Sequence, residues 1–424
     1  MGSMHFKHDT SSTLTLSIIQ LDLSISQIDH PIVDTVTCVL DHLTCITPTT
    51  KSGTVNDDTL HCSNTELRAQ VEKSILRYRR EPDRWTSFTS LLLKSLAFYR
   101  SLDPALYPFP SKDGEHIEVA SMQISEKLQL KQTKKLPIAH LPRTKYNRPY
   151  IPQFGRESYT INTSNNTNEK EVDDIDENCN SAMNISHQYP WVCMVQQQPN
   201  HSFKETYKSC KLGLDVVIFD ARISEYTPTI TEFLKSFVQS FTPWEWDRIN
   251  NFHGHSSSLF LGRWRKKPRS DELKLKEFYL RWAMKEAYTK ALGLGMNINF
   301  NDFETRLHGI DFDPITDAQQ DDGGIWTSIM RPTDINTNNT PRRRIGQHQF
   351  SVIGKVKSIT SPTSKWESWE FTFIPLCDDS NQNGCACICR GPLEKSSEVK
   401  TPTPFTVELL TLVDLIELHG TNPL

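Results

Sequence analysis

The run WAMKEAYTKALGLG, from Trp282 to Gly295, constrains this chain more than any other stretch. It reads as the second half of a helix over residues 271–292, with Asp271 and Glu272 at the end where the helix dipole favours acids. Gly293 and Gly295 supply a C-terminal stop. Trp282, Glu286 and Lys290 are spaced by four residues, so one stripe of the helix carries an indole, an acid and an amine. The simpler reading of the acid and amine is an exposed ion pair worth a few tenths of a kcal/mol, roughly the i,i+4 contribution. The sharper reading is a site where a metal ion and a phosphate meet. Three other stretches bear on the choice.

KLGLDVVIFD, Lys211 to Asp220, is an apolar strand with one acid, Asp215, in its middle. A carboxylate in such a run is costly unless it is paired or metal-bound. The null is a strand-end aspartate that caps a loop. Asp215 and Glu286 together suit Mg²⁺, which takes few carboxylates and keeps positions for water and phosphate. MNISHQYPWVCMV, Met183 to Val195, places Asn184, Ser186, His187 and Gln188 just before a strand, where they can offer backbone N–H groups, a hydroxyl and an imidazole to a phosphate. It reads equally as a polar turn. Ser186 and His187 are poor partners for hydrolytic chemistry, because adjacent residues of an extended segment point to opposite faces. The segment Arg143, Lys145, Arg148, Pro149 with Tyr146 and Tyr150 is basic and extended, and suits a nucleotide with several phosphates or a solvated basic loop. No glycine-rich phosphate loop is present.

The 424 residues are enough for two or three domains. With a net charge of -4 there is no overall basic footprint, so nucleic acid is not an expected partner and any anion site must be local. No run reaches the length of a membrane span, and no signal-peptide pattern opens the chain. The ten cysteines are mostly scattered singly, as reduced thiols would be, which points to the cytosol. The run CACIC (385–389) lacks zinc spacing and reads as loop cysteines. Residues 1–60 read as one strand followed by a polar loop, and residues 64–101 as helix interrupted near Pro82. The stretches 154–182 and 316–345 read as polar insertions with little to bury. Alternating strands and helices indicate an α+β or α/β chain.

Taken in order, the basic segment, N-I-S-H-Q (184–188), G-L-D-V-V (213–217) and W-x-x-K-E-A-x-x-K-x-x-G-x-G (282–295) resemble the 4'-phosphopantetheinyl transferase superfamily. The resemblance is to the branch of the human aminoadipate-semialdehyde dehydrogenase phosphopantetheinyl transferase and the fungal aminoadipate-reductase-activating enzyme. It covers roughly residues 64–375, and FTVELLTLVDLI (405–416) resembles that branch's C-terminal segment.

The resemblance implies an α+β fold: a pseudo-twofold pair of similar α/β subdomains, 1–203 and 204–376, a coenzyme A cleft between them, and a tail, 377–424, returning to the first. It implies a monomeric holo-acyl-carrier-protein synthase. Such an enzyme transfers 4'-phosphopantetheine from coenzyme A to a serine of an apo carrier domain of fatty-acid synthase, polyketide synthase or aminoadipate reductase type. Asp215 and Glu286 then match the Mg²⁺ ligands, with Gln188 near the metal. Glu286 also matches the general base, and Lys290 the lysine on the pyrophosphate. Asn184, Ser186 and His187 fall at the coenzyme A phosphates, and Arg143, Lys145, Arg148 and Pro149 in the segment that holds the 3'-phosphoadenosine end. Two departures stand out. Val217 occupies the place of a second acid found in the bacterial surfactin-type enzymes, and Ser74, between Lys73 and Arg77, falls where an N-terminal arginine contacts coenzyme A. An inactive binding protein of the same fold, or a different Mg²⁺-dependent phosphate-transfer enzyme, are the alternatives.

Overall fold

The structure is a computed structural model. It describes residues 14–21, 32–40, 43–45, 64–102, 138–141, 149, 151, 183–197, 211–220, 229–255, 264–294, 297–311, 325–330, 350–361, 363–377, 383–393 and 405–419. In chain order the elements are β1 (Leu14–Gln20), α1 (Ile32–Leu40), β2 (Leu43–Cys45), α2 (Asn64–Leu76), α3 (Glu81–Leu102), β3 (Ile138–His140), β4 (Met183–Gln188), β5 (Trp191–Gln197) and β6 (Lys211–Ile218). They continue with α4 (Ile230–Lys235), α5 (Pro243–Asn250), β7 (Asn251–His255), β8 (Trp264–Pro268), α6 (Asp271–Leu292), β9 (Phe303–Leu307) and α7 (Ile325–Met330). The last are β10 (Phe350–Ser358), β11 (Glu367–Cys377), β12 (Asn383–Gly391), β13 (Phe405–Leu410) and α8 (Leu412–His419). The content is mixed α and β. Among the described residues no helix is long and apolar enough to cross a membrane.

The chain divides into two compact units. One comprises 1–183, 194–209 and 401–424, the other 184–193 and 210–400. In the first, β1 pairs in parallel with β13, from Leu14↔Phe405 to Ile19↔Leu410. Alternation in β1 suggests one solvated face, yet Thr15 and Ser17 are as buried as Leu16 and Ile18. The reason for Ser17 is a buried polar group: its hydroxyl donates to Glu408 Oε1, while Arg100 Nη2 of α3 donates to Glu408 Oε2 at 2.9 Å. A buried carboxylate and guanidinium thus satisfy each other across 308 residues of chain. Residues 1–60 hold more than the strand and loop expected from their polarity, since α1 and β2 also lie there. The polar composition around these short elements conceals Ile32, Val36 and Leu40, all buried.

The second unit is built on a five-stranded sheet in the order β6-β12-β11-β10-β9, with antiparallel pairing throughout. The CACIC run is not a loop. It lies in β12, between β6 and β11, with Cys385, Cys387 and Cys389 fully buried. Cysteine behaves there as a small apolar residue, and burial raises the Cys385 and Cys387 thiols far above the ordinary range, so neither is poised to react. Helix α7 lies within the stretch 316–345 and buries Ile325, Trp326 and Ile329.

Helix α6 packs on β6 and β12. Its start is fixed by Ser270, whose hydroxyl accepts from Leu273 N, and by Asp271 and Glu272 in the first turn. Its end is fixed by Gly293 at φ 75°, whose N–H reaches back to the carbonyls of Thr289 and Lys290. Its N-terminal half is wrapped by aromatic rings. Phe278 packs on Phe233, Phe237 and Phe241 at 5.2–5.8 Å between centroids. Residues 230–252, whose sequence looks helical, hold two short helices joined by a 3₁₀ turn at Val238–Ser240, because Pro243 starts a new helix under a Thr242–Glu245 capping box.

Candidate active site

Gly213 decides where α6 lies on the sheet. A Cβ at this position would sit 1.9 Å from Ala287 O and 2.5 Å from Ala291 N. Only glycine lets the β6 backbone approach the helix backbone this closely. The contact brings Asp215, two residues along the strand, under the C-terminal half of α6. Gly213→Ala should therefore push the helix off the strand. We expect a loss of about 1–3 kcal/mol in a denaturant melt, as for overpacking of a tight core. The separation of Lys290 from Asp215 should widen with it.

Lys290 Nζ lies 2.6 Å from Asp215 Oδ1 and donates to Ser186 Oγ at 2.9 Å. Ser186 in turn donates to the same Asp215 oxygen at 3.0 Å. The three groups form a closed triangle drawn from β4, β6 and α6. Asp215 and Ser186 are 7% and 6% exposed, while the Lys290 side chain keeps 28% of its surface exposed, so the acid and hydroxyl are buried and the amine reaches the cavity. Lys290 donates to the Ser186 hydroxyl and that hydroxyl donates to Asp215, so the contact is not a nucleophile handing its proton to an amine. His187 is exposed and Ser186 buried, as opposite faces of a strand require.

Glu286 stands one helical turn before Lys290. Burial pushes its carboxyl above the usual range, the Asp215 carboxylate pushes it further, and Lys290 opposes both. Ser186, His187, Gln188, Asp215, Glu286 and Lys290 all line one cavity of about 410 Å³, together with Tyr279, Trp282 and Val217. The cavity lies wholly within the second unit. It has a charged end and an aromatic end, with Trp282 supported from behind by Phe300 at 5.0 Å.

Asn184 and Gln188 do different work. Asn184 Oδ1 accepts from Leu214 N at 3.2 Å, and Gln188 Oε1 accepts from Ile218 N at 3.1 Å. Arg143, Lys145 and Arg148 lie outside the described residues. Pro149 is described, half-buried, and belongs to the N-terminal unit.

Sequence reasoning missed the partners of Lys285. This residue is wholly buried, 2.9 Å from Glu245 Oε2, and donates to the carbonyls of Phe300 and Phe303 at 2.6 and 2.7 Å. Burial lowers the ammonium from its ordinary range and Glu245 holds it up. Glu245 Oε1 also accepts from Thr305 N and Oγ1. The T-x-x-E spacing of a capping box was the available signal for Glu245.

The donor set fits a Mg²⁺ ion. Two carboxylates, Asp215 and Glu286, share the cavity and repel one another, a strain that a divalent cation would relieve. Among the described residues no group of three or more His, Cys, Asp or Glu side chains is placed to hold a metal ion. Mg²⁺ binding through one or two carboxylates, with water and phosphate completing the shell, asks for no such cluster.

Part of the chain is similar to known proteins. Residues 211–327 match the family model of the 4'-phosphopantetheinyl transferase superfamily. A phosphopantetheinyl transferase of Thraustochytrium sp. is 27% identical over 144 residues, which cover 32% of this chain and 42% of that protein. An L-aminoadipate-semialdehyde dehydrogenase-phosphopantetheinyl transferase of Xenopus laevis is 23% identical over 209 residues, 46% of this chain and 58% of that protein. The chain spans about half the length of these curated relatives. The matched stretch, residues 211–327, carries Asp215, Glu286 and Lys290, and it is to the 4'-phosphopantetheinyl transferase superfamily that this part of the chain is similar.

Proposed function

We propose that this protein transfers the 4'-phosphopantetheine arm of coenzyme A to a serine of an apo carrier domain, as a holo-acyl-carrier-protein synthase. The observation that carries the reading is the meeting of one lysine and two carboxylates in a single cavity. A module that only docked coenzyme A would have no use for two acids that repel each other beside the phosphates.

Lys290 supplies a fixed positive charge to the pyrophosphate, and the Ser186 hydroxyl supplies a neutral donor beside it. Asp215 orients both. Glu286 accepts the proton of the acceptor serine. The serine oxygen forms a bond to the β-phosphorus, and the bond from that phosphorus to the oxygen of 3',5'-ADP breaks. Asp215 and Glu286 are the residues that would hold Mg²⁺, with Gln188 nearby; when bound, the ion neutralises charge on the pyrophosphate. The aromatic end formed by Tyr279 and Trp282 excludes water from one side of the reacting atoms.

The reading is tested by following 3',5'-ADP chromatographically in mixtures of protein, coenzyme A, Mg²⁺ and apo carrier. Release that requires the carrier and stops with EDTA is the expected result. Release without any carrier would indicate hydrolysis or another acceptor, and coenzyme A binding without release would indicate a binding protein.

A further inference from the structure

Residues 184, 186 and 188 alternate along β4 and therefore share a face. Their partners follow in the same order along β6: Asn184 to Leu214 N, Ser186 to Asp215 Oδ1, Gln188 to Ile218 N. Among the described residues β6 is the edge of its sheet, hydrogen-bonded on one side to β12. Leu214 and Ile218, four residues apart, present their N–H groups on the other side. Both residues are buried, at 0% and 8% exposure, so these donors need partners that water does not supply. The two amide oxygens are those partners. The backbone donors also fix which way each amide is turned, since an N–H can be met only by the oxygen.

We infer that Asn184 and Gln188 are positioning residues: their side-chain amides clasp the outer edge of β6 and so hold Ser186 against Asp215 and Lys290. Gln188 lines the cavity through the same side chain, but its oxygen is engaged by the backbone. The Ile218 N–H takes one of the two lone pairs of that oxygen. The geometric part stands by itself, and its catalytic consequence rests on the transferase reading.

The test is amide hydrogen exchange on the full, metal-free chain. Asn184→Leu should reduce protection of the Leu214 amide by about tenfold or more while leaving Ile218 protected, and Gln188→Met should do the reverse. Amides that pair β11 with β12 serve as the control for an intact fold. Gln188→Glu keeps an acceptor oxygen and should restore protection at Ile218. Unchanged exchange at Leu214 and Ile218 in both variants would overturn the clasp.

In transfer assays, Asn184→Leu and Gln188→Met should both lower kcat by about 10- to 100-fold, as a small misplacement of a reacting group does. The Mg²⁺ concentration for half activation should not move. Rescue of Gln188→Met by excess Mg²⁺ would instead make Gln188 a direct ligand and sink the positioning role. If the unaltered protein shows no transfer but the exchange changes hold, the transferase reading fails and the clasp survives.

Discussion

Glu286→Gln should lower the rate of arm transfer by about 10²- to 10⁴-fold, the usual contribution of a positioned general base. The same change should make the metal-free protein more stable at neutral pH. Burial and the Asp215 charge both disfavour the Glu286 carboxylate in the folded state. Its folded proton affinity is raised above the unfolded value. Below the unfolded pKa the side chain is protonated in both states, and glutamate and glutamine should behave alike. As pH rises, the unfolded chain ionises first, so the native protein loses stability until the folded pKa has been passed. The gain from glutamine therefore grows through that window and is complete above it, on the order of 1 kcal/mol. Thermal melts in EDTA across a pH series measure this. A variant with near-normal turnover removes Glu286 from the mechanism, whatever its stability.

The second large effect is expected at Lys285. Lys285→Met leaves the Glu245 carboxylate buried without its cation and strips a donor from the carbonyls of Phe300 and Phe303. Breaking a buried ion pair on one side costs about 3–5 kcal/mol. The urea midpoint should fall accordingly, and Lys285→Met combined with Glu245→Gln should recover a substantial part. Function suffers indirectly, because Phe300 packs behind Trp282 in the cavity wall. A Lys285→Met protein as stable as the parent, but with weak coenzyme A binding, would mean that the lysine contacts ligand instead.

These two neighbours in the W-x-x-K-E-A run show what the sequence could and could not disclose. Helical spacing put Trp282, Glu286 and Lys290 on one stripe, and all three line one cavity. The limits of α6 were readable because Asp271, Glu272 and Gly293 act locally, although the Ser270 cap was not singled out. The fate of Lys285 was not readable. Its partner, Glu245, lies forty residues away on another helix, and nothing in the local pattern marks that acid as buried. Gly213 is a similar case. Its meaning depends on the helix that crosses it, with Ala287 and Ala291 providing the flat surface. The CACIC run misled because thiols between polar stretches resemble a loop, whereas in β12 they fill the space beneath α6. The Ser186–Lys290 contact spans 104 residues and follows only from the order in which β4, β6 and α6 assemble.

The most direct measurement is the intact mass of an apo acyl carrier protein after incubation with this protein, coenzyme A and Mg²⁺, alongside Glu286→Gln and an EDTA control. The account predicts a gain of one phosphopantetheine arm on the carrier, lost in the control and nearly lost in the variant. An unchanged mass across apo carriers of the fatty-acid, polyketide and aminoadipate-reductase types, with coenzyme A measurably bound, would contradict it.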